Sequence, residues 1–144
     1  MSDAINQEKL EFISLLENDE GRACFMGFLE TNYTEHHLIF WEEVKDYRKL
    51  TDAAAIKAAA DALFKKFVKA GTKLQINVTD MIKAQIEDDI KAGATLVVFD
   101  EAERICMDLM KGNQYHPFMK TPEYIAWKKK EDNAGKKSGT CNIL

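Results

Sequence analysis

Apolar residues recur at helical spacing along nearly the whole chain. Phe40, Trp41, Val44 and Tyr47 fall three and four apart, while Glu42, Glu43, Lys45 and Asp46 largely avoid their face. This pattern predicts an amphipathic helix with a buried aromatic stripe. The next helix is expected to open at Thr51 or Asp52 as N-cap and run through Ile56, Ala60, Leu63, Phe64 and Phe67. Gly71 then stops it, and its alanine-rich first half favours the helix intrinsically. Thr79 can cap a third helix over 79–92, in which Ile82, Ile86 and Ile90 form a narrow stripe and Gly93 supplies the stop. Val98, Phe99, Ala102, Ile105, Cys106 and Leu109 trace a broad buried face, with Gly112 and Asn113 marking its end.

Shorter helices flank these four. Leu10, Ile13, Leu15 and Leu16 predict one, and Cys24, Phe25, Phe28 and Leu29 another that begins near Asn18 or Asp19. Thr121 and Pro122 have the chemistry of N-cap and first turn for a last helix carrying Tyr124, Ile125 and Trp127. No segment alternates as a strand would, so the fold class is all-α, with seven to nine helices. Beyond Trp127 apolar periodicity is lost until the last two residues, and residues 128–144 are expected to form a flexible tail.

The composition supports a single soluble globular domain: 144 residues, 46% hydrophobic, 10% aromatic and only two prolines. No apolar run is long enough to span a bilayer. The start, MSDAINQEKLEF, lacks a basic segment leading into an apolar one, so the chain is expected to stay in the cytosol. Net charge is −4 but unevenly distributed, because the tail holds Lys128, Lys129, Lys130, Lys136 and Lys137 against Glu131 and Asp132. An acidic body disfavours nucleic acid as a partner, whereas the basic tail suits an anionic membrane surface.

Little in the sequence points to chemistry carried by the chain itself. Cys24, Cys106 and Cys141 are too few and too widely spaced for a disulfide framework. Cys24 and Cys106 lie among apolar neighbours and read as small buried hydrophobes rather than nucleophiles. His36 and His37 are adjacent, with side chains about 100° apart on a helix, so a solvated helix start explains them better than a metal site. Asp100, Glu101 and Glu103 sit where a helix dipole favours acids. No phosphate-binding glycine loop or nucleophile elbow is present, and no cofactor or metal is expected. The terminal Cys141-Asn142-Ile143-Leu144 fits a prenylation box, with Leu144 favouring geranylgeranyl. One lipid binds reversibly, so the tail lysines would supply the second, electrostatic signal.

The stretch FLETNYTEHHLIFWEEVKDYRKL, then INV before the Thr79-capped helix, VFDEAERICMDLM and QYHPFMKTPEY resemble the regulator of G-protein signalling domain, from about Glu11 to Trp127. The resemblance divides the chain into an N-terminal segment, 1–10, the domain, 11–127, and the tail, 128–144. It implies a nine-helix fold: a central antiparallel four-helix bundle, matching helices at about 35–49, 52–70, 79–92 and 96–111, and a smaller terminal helical subdomain. It also implies that the chain binds the GTP-bound α subunit of a heterotrimeric G protein and accelerates its hydrolysis, acting on the partner's active site rather than as an enzyme itself. By position, Asn77 matches the asparagine that approaches the catalytic glutamine of Gα, with Val78 beside it. Leu109 matches an apolar contact, and Tyr33 matches an aromatic at the rim.

Four positions depart from the family pattern. His36 and His37 stand where a Glu-Asn pair is usual, Asn113 replaces an Asp, and Pro117 replaces an Arg. If the histidines face Gα, affinity is expected to change between about pH 6 and 7, where unperturbed imidazole titrates. The leading expectation is a GTPase activator at the cytoplasmic face of a membrane. The alternative is a non-catalytic module of the same fold, acting as Gα effector or scaffold.

Overall fold

The computed structural model describes the backbone of residues 2–143 and the side chains of residues 7–134. The described residues form eight α-helices with two π-helical turns, and no strand occurs among them. The chain divides into two compact units, one comprising residues 34–110 and the other residues 1–33 with 111–144.

The first unit contains α3 (His36–Tyr47), α4 (Ala53–Leu63), α5 (Asp80–Gly93) and α6 (Asp100–Met110). Asp52 caps α4 by accepting from the Ala55 N–H, and Thr79 caps α5 by accepting from the Ile82 N–H. α3 packs against both α6 and α4, and α4 packs against α5. Cross-links show that each of these pairs is antiparallel. Arg48, just after α3, reaches Asp100 at the start of α6, Phe40 early in α3 meets the ring of Phe67 beyond α4, and Lys57 early in α4 reaches the Ile90 carbonyl late in α5. This is the expected four-helix bundle. Its core is aromatic, with Phe40, Phe67, Phe99 and Tyr47 meeting edge-to-face at 5.2–6.0 Å between ring centres. Phe40, Trp41, Val44 and Tyr47, the stripe read from the sequence, are all buried.

Two boundaries differ from expectation. α4 does not continue regularly to Gly71 but widens after Leu63 into a π-turn, Phe64–Val68, where the Lys69 N–H bonds the Phe64 carbonyl five residues back. α6 starts at Asp100 rather than near 96, and Met110 rather than Leu109 completes its fully buried row. Asp100 and Glu103 pair with Arg48, and Glu101 pairs with Arg104, so the three acids serve as ion-pair partners.

The second unit contains α1 (Ser2–Glu17), α2 (Asp19–Thr31), a π-turn (Lys111–Tyr115), α7 (His116–Met119) and α8 (Pro122–Ile143). Gly112 and Asn113 therefore lie inside a wide helical turn instead of ending a helix, because the chain runs on to bury Tyr115 and Phe118. Those rings pack with Phe12, Phe25 and Phe28 at 4.9–5.5 Å. Leu10, expected on the buried face of α1, is 61% exposed; the face runs instead through Phe12, Leu15 and Leu16. Asn18 Oδ1 accepts both the Gly21 N–H, capping α2, and Trp127 Nε1–H from α8.

Residues 128–144 were expected to form a flexible tail; the backbone of α8 continues to Ile143. Losing the apolar stripe removes a buried face but not the capacity for helix, which Lys, Glu and Ala retain. Lys128 pairs with Asp132 four residues on, and Lys130 with Glu20 of α2. The side chains of Lys136, Lys137 and Cys141 lie outside the described residues.

Candidate functional site

The loop between the π-turn and α5 carries Asn77, expected from the sequence as the principal contact. Its far end is tied down by Ile76, whose side chain is buried and whose N–H donates to the Phe67 carbonyl at 2.8 Å, one of the carbonyls that a helix end leaves unpaired. The Val78 N–H bonds back to the Ile76 carbonyl at 3.2 Å, closing a three-residue turn with Asn77 at its apex. Thr79 then starts α5. Asn77 is exposed, and no hydrogen bond of its side chain is made within the described residues, so its amide is available to a partner.

His37 lies beneath this loop. It is only 5% exposed, and its Nε2 accepts the Asn77 N–H at 3.2 Å. A peptide N–H can only donate, so Nε2 carries a lone pair and the ring proton sits on Nδ1. The solvated helix start expected for both histidines is thus corrected: His36 is half-buried and its ring lies 4.2 Å from that of His37. Burial, reinforced by the neighbouring His36, pushes the His37 imidazole down to about 4. Burial also lowers His36, partly offset by the adjacent Glu35 carboxylate. Neither ring is the unperturbed imidazole on which a change between pH 6 and 7 was expected. One carboxylate oxygen of Glu35, the N-cap residue of α3, is shielded without a partner.

Of the other sequence-derived positions, Val78 adjoins Asn77 in the turn, and Leu109 is half-buried near the end of α6 in the same unit. The structure brings His36, His37, Asn77 and Val78 together and gives Leu109 no bond to them. Tyr33, Asn113 and Pro117 belong to the other unit. Tyr33 follows the end of α2 with φ of 57° and is 87% exposed. A bulky residue in the left-handed region is uncommon, and such strain concentrates at functional positions. Asn113 and Pro117 are exposed.

Met81 was missed by the sequence reading. It is 81% exposed in the first turn of α5, and the signal was there, since it falls off the Ile82, Ile86 and Ile90 stripe.

Among the described residues, the Cys24 and Cys106 thiols are poor nucleophiles. Burial pushes Cys106 up to about 12, and burial with Glu20 and Glu123 raises Cys24, which is half-buried rather than fully buried as expected. Among the described residues no group of three or more His, Cys, Asp and Glu side chains is placed to hold a metal, and no helix is long and apolar enough to cross a membrane.

Residues 11–127 match the profile of the regulator of G protein signaling domain. The chain is 31% identical over 124 residues to Regulator of G-protein signaling 1 of Equus caballus, covering 86% of this chain and 62% of that protein. It is 32% identical over 111 residues to the Homo sapiens protein of the same name, covering 77% and 52%. Against Regulator of G-protein signaling 16 of Bos taurus it is 30% identical over 116 residues, covering 81% and 57%. The chain thus spans between about half and three-fifths of the length of these relatives. With the all-α bundle and the matched segment, which takes in the Asn77 loop, the chain belongs to the regulator of G protein signaling domain family.

Proposed function

We propose that this chain regulates heterotrimeric G-protein signalling by binding GTP-bound Gα and accelerating its GTP hydrolysis. The observation that carries the reading is the Asn77 turn: an exposed amide with no partner among the described residues, held by three backbone N–H bonds on the face of the bundle. Gα carries its own arginine and the glutamine that orients the attacking water. A protein that binds the transition-state arrangement of the switch loops more tightly than the ground state therefore accelerates the reaction without supplying a nucleophile. Asn77 is assigned to the catalytic glutamine, with Val78, Leu109, Tyr33 and His36 as further contacts.

The experiment is to compare affinities for one Gα loaded with GDP and aluminium fluoride, which imitates the planar phosphoryl group in flight, and with a non-hydrolysable GTP analogue. An activator binds the first at least tenfold more tightly. Exposed Asn113 and Pro117 favour a second reading, an effector or scaffold of the same fold, since neither offers the charge of the usual Asp or Arg. That reading requires equal or tighter binding to the GTP analogue.

For the tail, we propose prenylation of Cys141, with exposed Lys128, Lys129 and Lys130 adding electrostatic attraction at the cytoplasmic face of a membrane. The lipid-modified chain should sediment with vesicles containing phosphatidylserine. Cys141→Ser should abolish this, and high salt should weaken it; sedimentation unchanged by Cys141→Ser would refute the lipid's role.

A further inference from the structure

Three consecutive N–H groups hold the Asn77 turn, and they differ in what accepts them. Ile76 donates to the Phe67 carbonyl and Val78 to the Ile76 carbonyl, both backbone acceptors present whatever the side chains are. Asn77 donates to the Nε2 of His37. The orientation of the Asn77 peptide thus depends on a side chain forty residues earlier, in the first turn of α3.

His37 suits this task. Burial protects the bond from competing water, and the ring of His36 lies against it. The nearest charge in sequence is the Glu35 carboxylate, at the α3 N-cap. The same burial keeps the His37 ring from lying on the surface as a contact for a partner, which is the role the family position suggested.

We infer that His37 is a positioning residue: by accepting the Asn77 N–H it fixes the peptide that aims the Asn77 amide at Gα, and it touches no part of Gα itself. The inference rests on the proposed activity for its consequence, but not for its geometry. Loss of the acceptor would leave the Asn77 N–H unpaired and the turn held only at Ile76 and Val78. The bundle core, organised around Phe40, Phe67 and Phe99, would be unaffected.

The wild-type protein provides the first check. Its His37 15N shifts should report a proton on Nδ1 and none on Nε2; the opposite tautomer would overturn the inference. Two variants follow. His37→Leu keeps the bulk and removes the acceptor, whereas His37→Gln places an amide oxygen near the position of Nε2. In His37→Leu the Asn77 amide should exchange with solvent at least tenfold faster while the Ile76 amide stays protected. The concentration giving half-maximal GTPase stimulation should rise about tenfold with the maximal rate little changed, and His37→Gln should restore both.

Wild-type exchange at Asn77 in His37→Leu, or His37→Gln behaving like His37→Leu, would mean that the ring only fills space. Should His37→Leu fail to fold, the tautomer and the His37→Gln exchange rate still decide. If no Gα responds to the wild-type protein, the proposed activity fails, while the tautomer and exchange measurements test the positioning role separately.

Discussion

His37 ties stability to pH. Its imidazole is held near 4 in the folded chain, against about 6.5 in an unfolded one. The unfolded state therefore binds more protons between these values, and folding is favoured most above pH 6.5. Stability should fall as pH drops from 6.5 towards 4, by about 3 kcal/mol, and this contribution should level off below 4. Urea unfolding at a series of pH values checks it, with His37→Gln as the reference that lacks this slope. The sequence picked out His36 and His37 but not their burial, because whether an imidazole at a helix start is solvated depends on which distant loop covers it. Asn77 was singled out by the resemblance of the INV run before the Thr79-capped helix, and the structure places it exposed at the apex of a turn. Nothing local revealed that its N–H bonds to residue 37.

Helix packing turns on a few positions that are also single residues. A Cβ on Gly21 in α2 would stand 2.8 Å from Trp127 Cζ2 and 2.9 Å from Leu15 Cδ1. Gly21→Ala should therefore lower stability by about 1–3 kcal/mol despite the better helix propensity of alanine, measurable as a lower denaturation midpoint. Arg48 joins the C-terminal end of α3 to the N-terminal end of α6 through Asp100 at 2.7 Å and Glu103 at 2.8 Å. Because the guanidinium is about a third exposed, solvent screens much of this attraction. Arg48→Met should cost about 1 kcal/mol, with a smaller loss in 1 M salt. An equal loss at both salt concentrations would assign the effect to packing of the alkyl chain. Helix identity was legible because period and caps agreed, at Asp52 for α4 and Thr79 for α5. The two π-turns were not, since Phe64–Val68 and Lys111–Tyr115 answer to the burial of Phe67 and Tyr115, and a 3.6-residue period carries no sign of one extra residue.

In the molecule as a whole, an all-α bundle, whose described thiols are not activated and whose described residues form no metal cluster, carries an exposed, well-anchored asparagine. Acceleration of GTP hydrolysis on a partner by this turn is read best from single-turnover hydrolysis by a panel of preloaded Gα subunits, with wild-type protein and Asn77→Ala in parallel. Wild type should accelerate at least one subunit, and Asn77→Ala, which removes only an exposed amide and leaves the melting temperature unchanged, should lose tenfold or more of that effect. No acceleration on any subunit at concentrations that saturate binding, or acceleration that survives Asn77→Ala intact, would contradict it.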